Sequence, residues 1–377
     1  MMTDFDASDE DTAHASGLLK WEMPGVSGHW VAEMDFGTAP AVEEALVSAI
    51  RRGFLGYMPQ GLSTWVKEAT ASVVGRRYGL DIEAENVQLA SSVLDGLNAI
   101  LGHMLEPGSR VIVPTPAYMP FLTLPGKFGH EVIQVPSAIV EGVWQLDFDR
   151  IESAAKDADL LILCNPWNPT GRVLTAAELT RLGQIATSSN LLVFNDEVHA
   201  PLVPNPADHV SFARLDDEVA DHVVTAVAAS KGFNLAGLHC AQMITIGAMA
   251  KKFEDASKWL NHPTPLGALA TSVAYEEGES WLAELNAYLR QNVALIDGLL
   301  ADSPLSWSAP QGTYMGLIDA SGLGVENPHE YLLEEAKVRT TPGAALGKGF
   351  EQYVRFGFAS SKGVVERSVR RMLEAKH

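Results

Sequence analysis

Seven short runs rich in valine, isoleucine and leucine recur between residues 86 and 247, separated by stretches compatible with helix, and this alternation constrains the fold more than any other feature. The runs are NVQLA (86–90), RVIVP (110–114), EVIQV (131–135), LLILCN (160–165), LLVFND (191–196), HVVTAVA (222–228) and AQMITIG (241–247). They read as buried strands, and strands alternating with helices build an α/β fold on a mostly parallel sheet sandwiched by helices. PAVEEALVSAIRRG and LSTWVKEATASVVGRRYG carry helical periodicity, and each closes on a glycine suited to the position after a helix end. Thr175 and Glu178 form a capping-box pattern that opens a helix running to Ser188.

After Pro263 the pattern changes to one long helical stretch through SVAYEEGESWLAELNAYLRQNVALIDGLLAD, then short strands at TYMGLID and YVRFGFA and a last helix near 361–376. At 377 residues the chain exceeds the usual size of a single domain. The division predicted is a large domain over 46–275 and a smaller α+β domain formed by 1–45 together with 276–377.

A net charge of -20, from 27 Lys+Arg against 47 Asp+Glu, disfavours nonspecific binding to nucleic acid or anionic lipid. No uncharged apolar run is long enough to span a bilayer. The N-terminus lacks the basic and apolar regions of a secretory signal, and its acidic residues 4–11 read as a solvated, mobile tail. That N-terminus points to a cytoplasmic location. Cys164 and Cys240 both sit inside apolar runs, so a disulfide framework is not expected.

Three segments carry chemistry. In VAASKGFNLAGL (227–238), Lys231 follows a strand and precedes a glycine-bearing loop; alone it reads as an ordinary loop lysine. In CNPWNPTG (164–171), two Asn-Pro pairs and a glycine fix a turn after a strand, where the Asn168 amide can donate to an anionic oxygen. In FNDEVHAPL (194–202), Asp196 ends a strand, either as a helix cap or as the anion that keeps a heterocyclic nitrogen protonated. Together, three consecutive strands would bring Asn168, Asp196 and Lys231 to the carboxyl edge of one sheet, where open α/β folds bind ligands. Pyridoxal 5'-phosphate needs such a set: a lysine to form a Schiff base, a carboxylate for its ring nitrogen and a donor for its phenolate oxygen.

These segments, with HWVAEMDFGTAP (29–40) and TPAYMPF (115–121), resemble the fold-type I pyridoxal-phosphate enzymes of the class I/II aminotransferase family. Within it the chain is most similar to the MalY/PatB-type cystathionine β-lyases, or carbon-sulfur lyases. The resemblance implies that Tyr118 stacks on the cofactor ring, Asn168 and Asp196 hold its phenolate and ring nitrogen, and His199 sits beside it. It implies that backbone amides of Val93 and Leu94, in LASSVLDGLNAI (89–100), cradle the phosphate at a helix N-terminus. Arg355 would grip the substrate carboxylate with its planar fork. Tyr57 would reach the cofactor phosphate of a neighbouring subunit, making a homodimer with shared active sites.

The chain departs from the family pattern at three places. His239 stands where an arginine or lysine is usual eight residues after the cofactor lysine, so phosphate neutralisation there could fall to Ser230 or to backbone amides. Met119 replaces a proline after the stacking tyrosine. Trp167 replaces a frequent histidine and would make the site more apolar. The activity implied is β-elimination from cystathionine or a related cysteine S-conjugate to thiol, pyruvate and ammonia. An aminotransferase would use the same residues. A protein acting by binding a transcription factor is a third reading, for which no DNA-binding module or basic stretch is visible.

Overall fold

The computed structural model describes residues 3–204 and 208–375. Its core is a seven-stranded sheet: β1 (Val87–Ala90), β2 (Arg110–Thr115), β3 (Glu131–Pro136), β4 (Leu160–Cys164), β5 (Leu192–Asp196), β6 (Val223–Val227) and β7 (Ala241–Ile244). The spatial order is β1-β7-β6-β5-β4-β2-β3. All neighbouring pairs are parallel except those of β7, which runs antiparallel to β1 and β6. Every residue of β4 and β6 is buried, as expected of strands covered by helices on both faces. The seven apolar runs of the sequence are the seven strands of this sheet.

The helices that bear on the site are α1 (Glu10–Ala15), α2 (Pro40–Arg51), α3 (Gln60–Tyr78), α4 (Val93–His103), α5 (Met119–Lys127), α6 (Ala176–Ser188), α7 (Pro265–Glu277), α8 (Glu279–Leu300) and α9 (Lys362–Glu374). Gly79 ends α3 in the left-handed region, φ 64°, and Thr175 with Glu178 completes the capping box of α6. Helix α4 lies so close to β7 that a Cβ on Gly96 would meet Met243 Sδ at 2.1 Å. That approach sets the N-terminus of α4 at the sheet edge.

Beyond α8, four strands form a second sheet: β8 (Ser306–Trp307), β9 (Met315–Asp319), β10 (Thr341–Pro342) and β11 (Tyr353–Gly357), in the order β8-β9-β11-β10. Ser27 and Gly28 pair in parallel with Val338 and Arg339, so the N-terminal segment joins this part of the chain.

Two expectations are corrected. The helical stretch after Pro263 is two helices, because Gly278 ends α7 and begins α8. A side chain at Gly278 would meet Ala274 O at 2.5 Å and the Phe233 ring at 2.4 Å, so the chain turns where only glycine fits. The acidic residues 4–11 are not a solvated tail. Phe5 is buried in an aromatic box with Phe36 and Tyr288, ring centroids 5.1 Å from each, and with Trp281. Tyr288 donates to the Asp6 carboxylate, Lys362 pairs with Asp6 at 3.4 Å, and Asp9 caps α1. One aromatic side chain with a large apolar area outweighs the acidic composition around it. Residue 376 of the expected last helix lies outside the described residues.

Candidate active site

Strands β4, β5 and β6 are consecutive parallel neighbours, with Cys164, Asp196 and Ala226 in register. Asp196 ends β5, Asn168 lies four residues past β4, and Lys231 lies four past β6. All three line one cavity of about 280 Å³ at the carboxyl ends of the strands. Among the predicted site residues, Val93, Leu94, Tyr118, His199, Ser230 and Arg355 line it too.

The turn that places Asn168 is closed by Gly171 N–H donating to Trp167 O at 2.7 Å and Trp167 N–H donating to Arg172 O at 2.8 Å. Arg355 of β11 donates from Nη1 to Asn168 Oδ1 at 3.1 Å, which leaves the amide nitrogen of Asn168 as its free donor. Arg355 also donates from Nη2 to Trp30 O at 2.7 Å and to Thr341 Oγ1 at 3.1 Å. Its Nε is buried without a partner among the described residues.

Asp196 is only 5% exposed and forms no ion pair within 4 Å among the described residues. Its Oδ1 accepts from Val198 N–H at 3.0 Å. Burial pushes its carboxyl up to about 7. Burial, then the Arg355 guanidinium, brings the Lys231 ammonium down to about 8, and its Nζ donates to Ala32 O at 3.3 Å. His199 is lowered to about 3 by burial, with Lys231 and Arg355 adding to the effect, and its Nδ1 lies 2.9 Å from Thr313 Oγ1. Tyr118 stands at the residue before α5, and burial raises its phenol. Val93 and Leu94 open α4, whose first turn is capped by Ser92 Oγ accepting from Asp95 N–H at 3.1 Å.

Two predicted residues are not brought to the cavity. Tyr57 is wholly exposed, and His239 is an exposed residue in left-handed conformation, φ 52°. Trp167, expected to make the site more apolar, is instead buried beneath the turn, its Nε1 donating to Pro116 O at 2.8 Å. An indole satisfied by a backbone carbonyl has no reason to enter a wet cavity. Met119 does line the cavity.

No local sequence pattern announced the roof. Trp30, Val31 and Ala32 close the cavity, and Ala32 O accepts from both Lys231 Nζ and Tyr314 Oη. Asn234, three residues after Lys231, fixes this segment through a double backbone contact: Met34 N–H donates to its Oδ1 and its Nδ2 donates to Met34 O, both at 3.1 Å. HWVAEMDFGTAP and SKGFNLAGL were the signal for this pairing, as segments of resemblance with no contact between them assigned.

A parallel-sheet sandwich whose adjacent strand ends deliver a lysine, a carboxylate and an amide to one cavity, with an arginine from a second sheet above them, defines the fold-type I pyridoxal-phosphate enzymes. The profile of the family "Aminotransferase class I and II" matches residues 31–372, and the chain belongs to that family. It is 35% identical to cystathionine beta-lyase of Corynebacterium glutamicum, over 94% of this chain and 95% of that protein. It is 30% identical to cystathionine beta-lyase PatB of Bacillus subtilis, over 95% and 96%. The solved structure of the PLP-bound C-S lyase of Staphylococcus hominis superposes with a TM-score of 0.90 at 26% identity, over 99% and 98% of the two chains.

The residues present fit the cofactor. Asp196 is a buried carboxyl with no cation at ion-pair distance among the described residues, and burial outweighs the pull of the Lys231 charge, the condition that a protonated ring nitrogen relieves. Lys231 is half-buried and has a depressed ammonium, as amine nucleophiles require. The unpartnered Arg355 Nε leaves a donor for an anion.

Proposed function

We propose that this chain is a pyridoxal-phosphate-dependent carbon-sulfur β-lyase that cleaves cystathionine or a related cysteine S-conjugate to a thiol, pyruvate and ammonia. The convergence of Lys231, Asp196 and Asn168 beneath Arg355 carries the reading, and the cystathionine β-lyases among its relatives support it. Bound pyridoxal phosphate supplies the sink for the electron pair left at Cα. Lys231 would carry the cofactor, Asp196 would keep its ring nitrogen protonated, and Asn168 with His199 would address its phenolate side. Tyr118 would lie on the ring, and the first turn of α4, at Val93 and Leu94, would hold the phosphate with Ser230 nearby.

Arg355 would bind the substrate carboxylate and so orient the Cα–H bond. Lys231, as a free amine, would remove the α-proton and return a proton to the departing sulfur. Its lowered ammonium makes a neutral amine available near neutral pH. Water then completes the release of pyruvate and ammonia.

We further propose a cytoplasmic homodimer in which Tyr57, exposed in one chain, completes the neighbouring site. No described helix is long and apolar enough to cross a membrane. The large domain would span 46–275 and the smaller one 1–45 with 276–377. Incubation with L-cystathionine or an S-alkyl cysteine should release pyruvate and free thiol in equal amounts. Amino transfer to a 2-oxo acid without either product would replace the lyase reading with that of an aminotransferase.

A further inference from the structure

His199 is 2% exposed, it lines the cavity, and Thr313 is the hydrogen-bond partner of its ring among the described residues. Buried between Lys231 and Arg355, the imidazole is neutral, so one ring nitrogen donates and the other accepts. Which does which is set by what the other nitrogen meets.

Thr313 is 4% exposed, and its hydroxyl has no other partner among the described residues. A buried hydroxyl proton needs an acceptor, and Nδ1 of His199 is the one within reach, 2.9 Å away. Donation from Oγ1 to Nδ1 places the ring proton on Nε2, leaving that nitrogen to the cavity.

The backbone at Thr313 reinforces the point. Its φ is 59°, in the left-handed region that a β-branched residue rarely occupies, and its N–H is fixed to Leu202 O at 3.2 Å. Glycine would relieve that conformation but could not make the same contact. Backbone strain of this kind is held where surrounding structure over-determines it, and it clusters at functional sites. The next residue, Tyr314, reaches the Ala32 carbonyl of the roof, so the turn addresses the cavity wall twice.

We infer that Thr313 is a positioning residue that acts through His199: its hydroxyl holds the imidazole as the Nε2–H tautomer, so that the cavity meets a fixed donor beside the Asn168 amide. The inference rests on the cavity being the cofactor site proposed above. Without Thr313, His199 could present a lone pair toward the same anionic oxygen and repel it. Two neutral donors set in advance require no rearrangement when charge develops.

The test is nitrogen-15 NMR of the full-length protein, purified with its cofactor and labelled at histidine. The chain has 11 histidines, so the His199 signals are identified by their loss in His199→Asn. The wild type and Thr313→Ser should show a protonated Nε2 and a bare Nδ1, and Thr313→Val should lose that preference. Thr313→Val should also shift the pH dependence of the cofactor absorbance band and lower kcat about tenfold with little change in KM, with Thr313→Ser close to wild type. A protonated Nδ1 in the wild type overturns the inference, even if Thr313→Val fails to fold. An unchanged tautomer and pH profile in folded Thr313→Val overturns it as well. The tautomer is read whatever reaction is catalysed, so failure of the lyase reading leaves this result separate.

Discussion

Arg355 donates to the side-chain oxygen of Asn168 across 3.1 Å, joining a strand of the second sheet to the turn after β4. The contact decides which end of the Asn168 amide is left to donate into the cavity, and it holds the guanidinium plane through one of its edges. Arg355→Lys keeps the charge and loses the fork, leaving Asn168, Trp30 and Thr341 short of donors. We expect kcat/KM to fall on the order of 100-fold, the loss of one or two charge-assisted hydrogen bonds. Steady-state kinetics on an S-alkyl cysteine measures this, and a fall under about threefold would remove Arg355 from substrate binding.

Asp196 gives the cofactor-free protein a pH-dependent stability of predictable sign. Its carboxyl titrates near 3.9 in an unfolded chain and about 7 when folded, so between those values the folded state binds the extra proton. The stabilisation is complete below about pH 4 and is lost as pH rises to about 7. Cofactor-free Asp196→Asn should therefore melt above wild type near neutral pH and close to it in acid, by an amount on the order of a few kcal/mol. Thermal melts across pH with the opposite ordering would show that the carboxyl is not buried alone.

Lys231→Ala should abolish the visible absorbance band of the bound cofactor and reduce turnover by on the order of a thousandfold or more, since both the covalent anchor and the base are lost. Borohydride reduction followed by peptide mass analysis should locate the cofactor on Lys231 in the wild type. Label on another lysine would reassign the anchor.

Asn234→Ala removes both hydrogen bonds to the Met34 backbone and places alanine at φ 57°. The expected cost is about 2 kcal/mol. Hydrogen exchange should rise across residues 30–36 rather than across the sheet. If those amides stay protected, the roof is held by other contacts.

Trp167→Phe should cost about 1 kcal/mol through the lost bond to Pro116 O. It should leave the ranking of S-alkyl cysteine substrates unchanged, because the indole is buried outside the cavity. A change in ranking by relative kcat/KM would return Trp167 to the substrate pocket.

The sheet was legible because strands such as Leu160–Cys164, buried on both faces, must be apolar throughout. The meeting of Asn168, Asp196 and Lys231 followed from parallel neighbours ending at one edge. Contacts between distant segments were not legible. Thr313 meets His199 across 114 residues, and no local pattern announces a hydroxyl aimed at a ring nitrogen. Phe5 was hidden in the same way, its aromatic box being assembled from residues up to Tyr288. Gly278 was read through as helix because part of the glycine's need is set by the distant Phe233 ring, which no local pattern reveals.

Arg355 and the carbonyl of Trp30 that it binds are 325 residues apart. A chain emerging from the ribosome therefore holds Asn168, Asp196, Lys231 and the Trp30–Ala32 roof well before the arginine that binds roof to floor. Nascent chains halted shortly before Arg355 would carry both surfaces of the site without that tie, and its fastening belongs to the closing moments of synthesis.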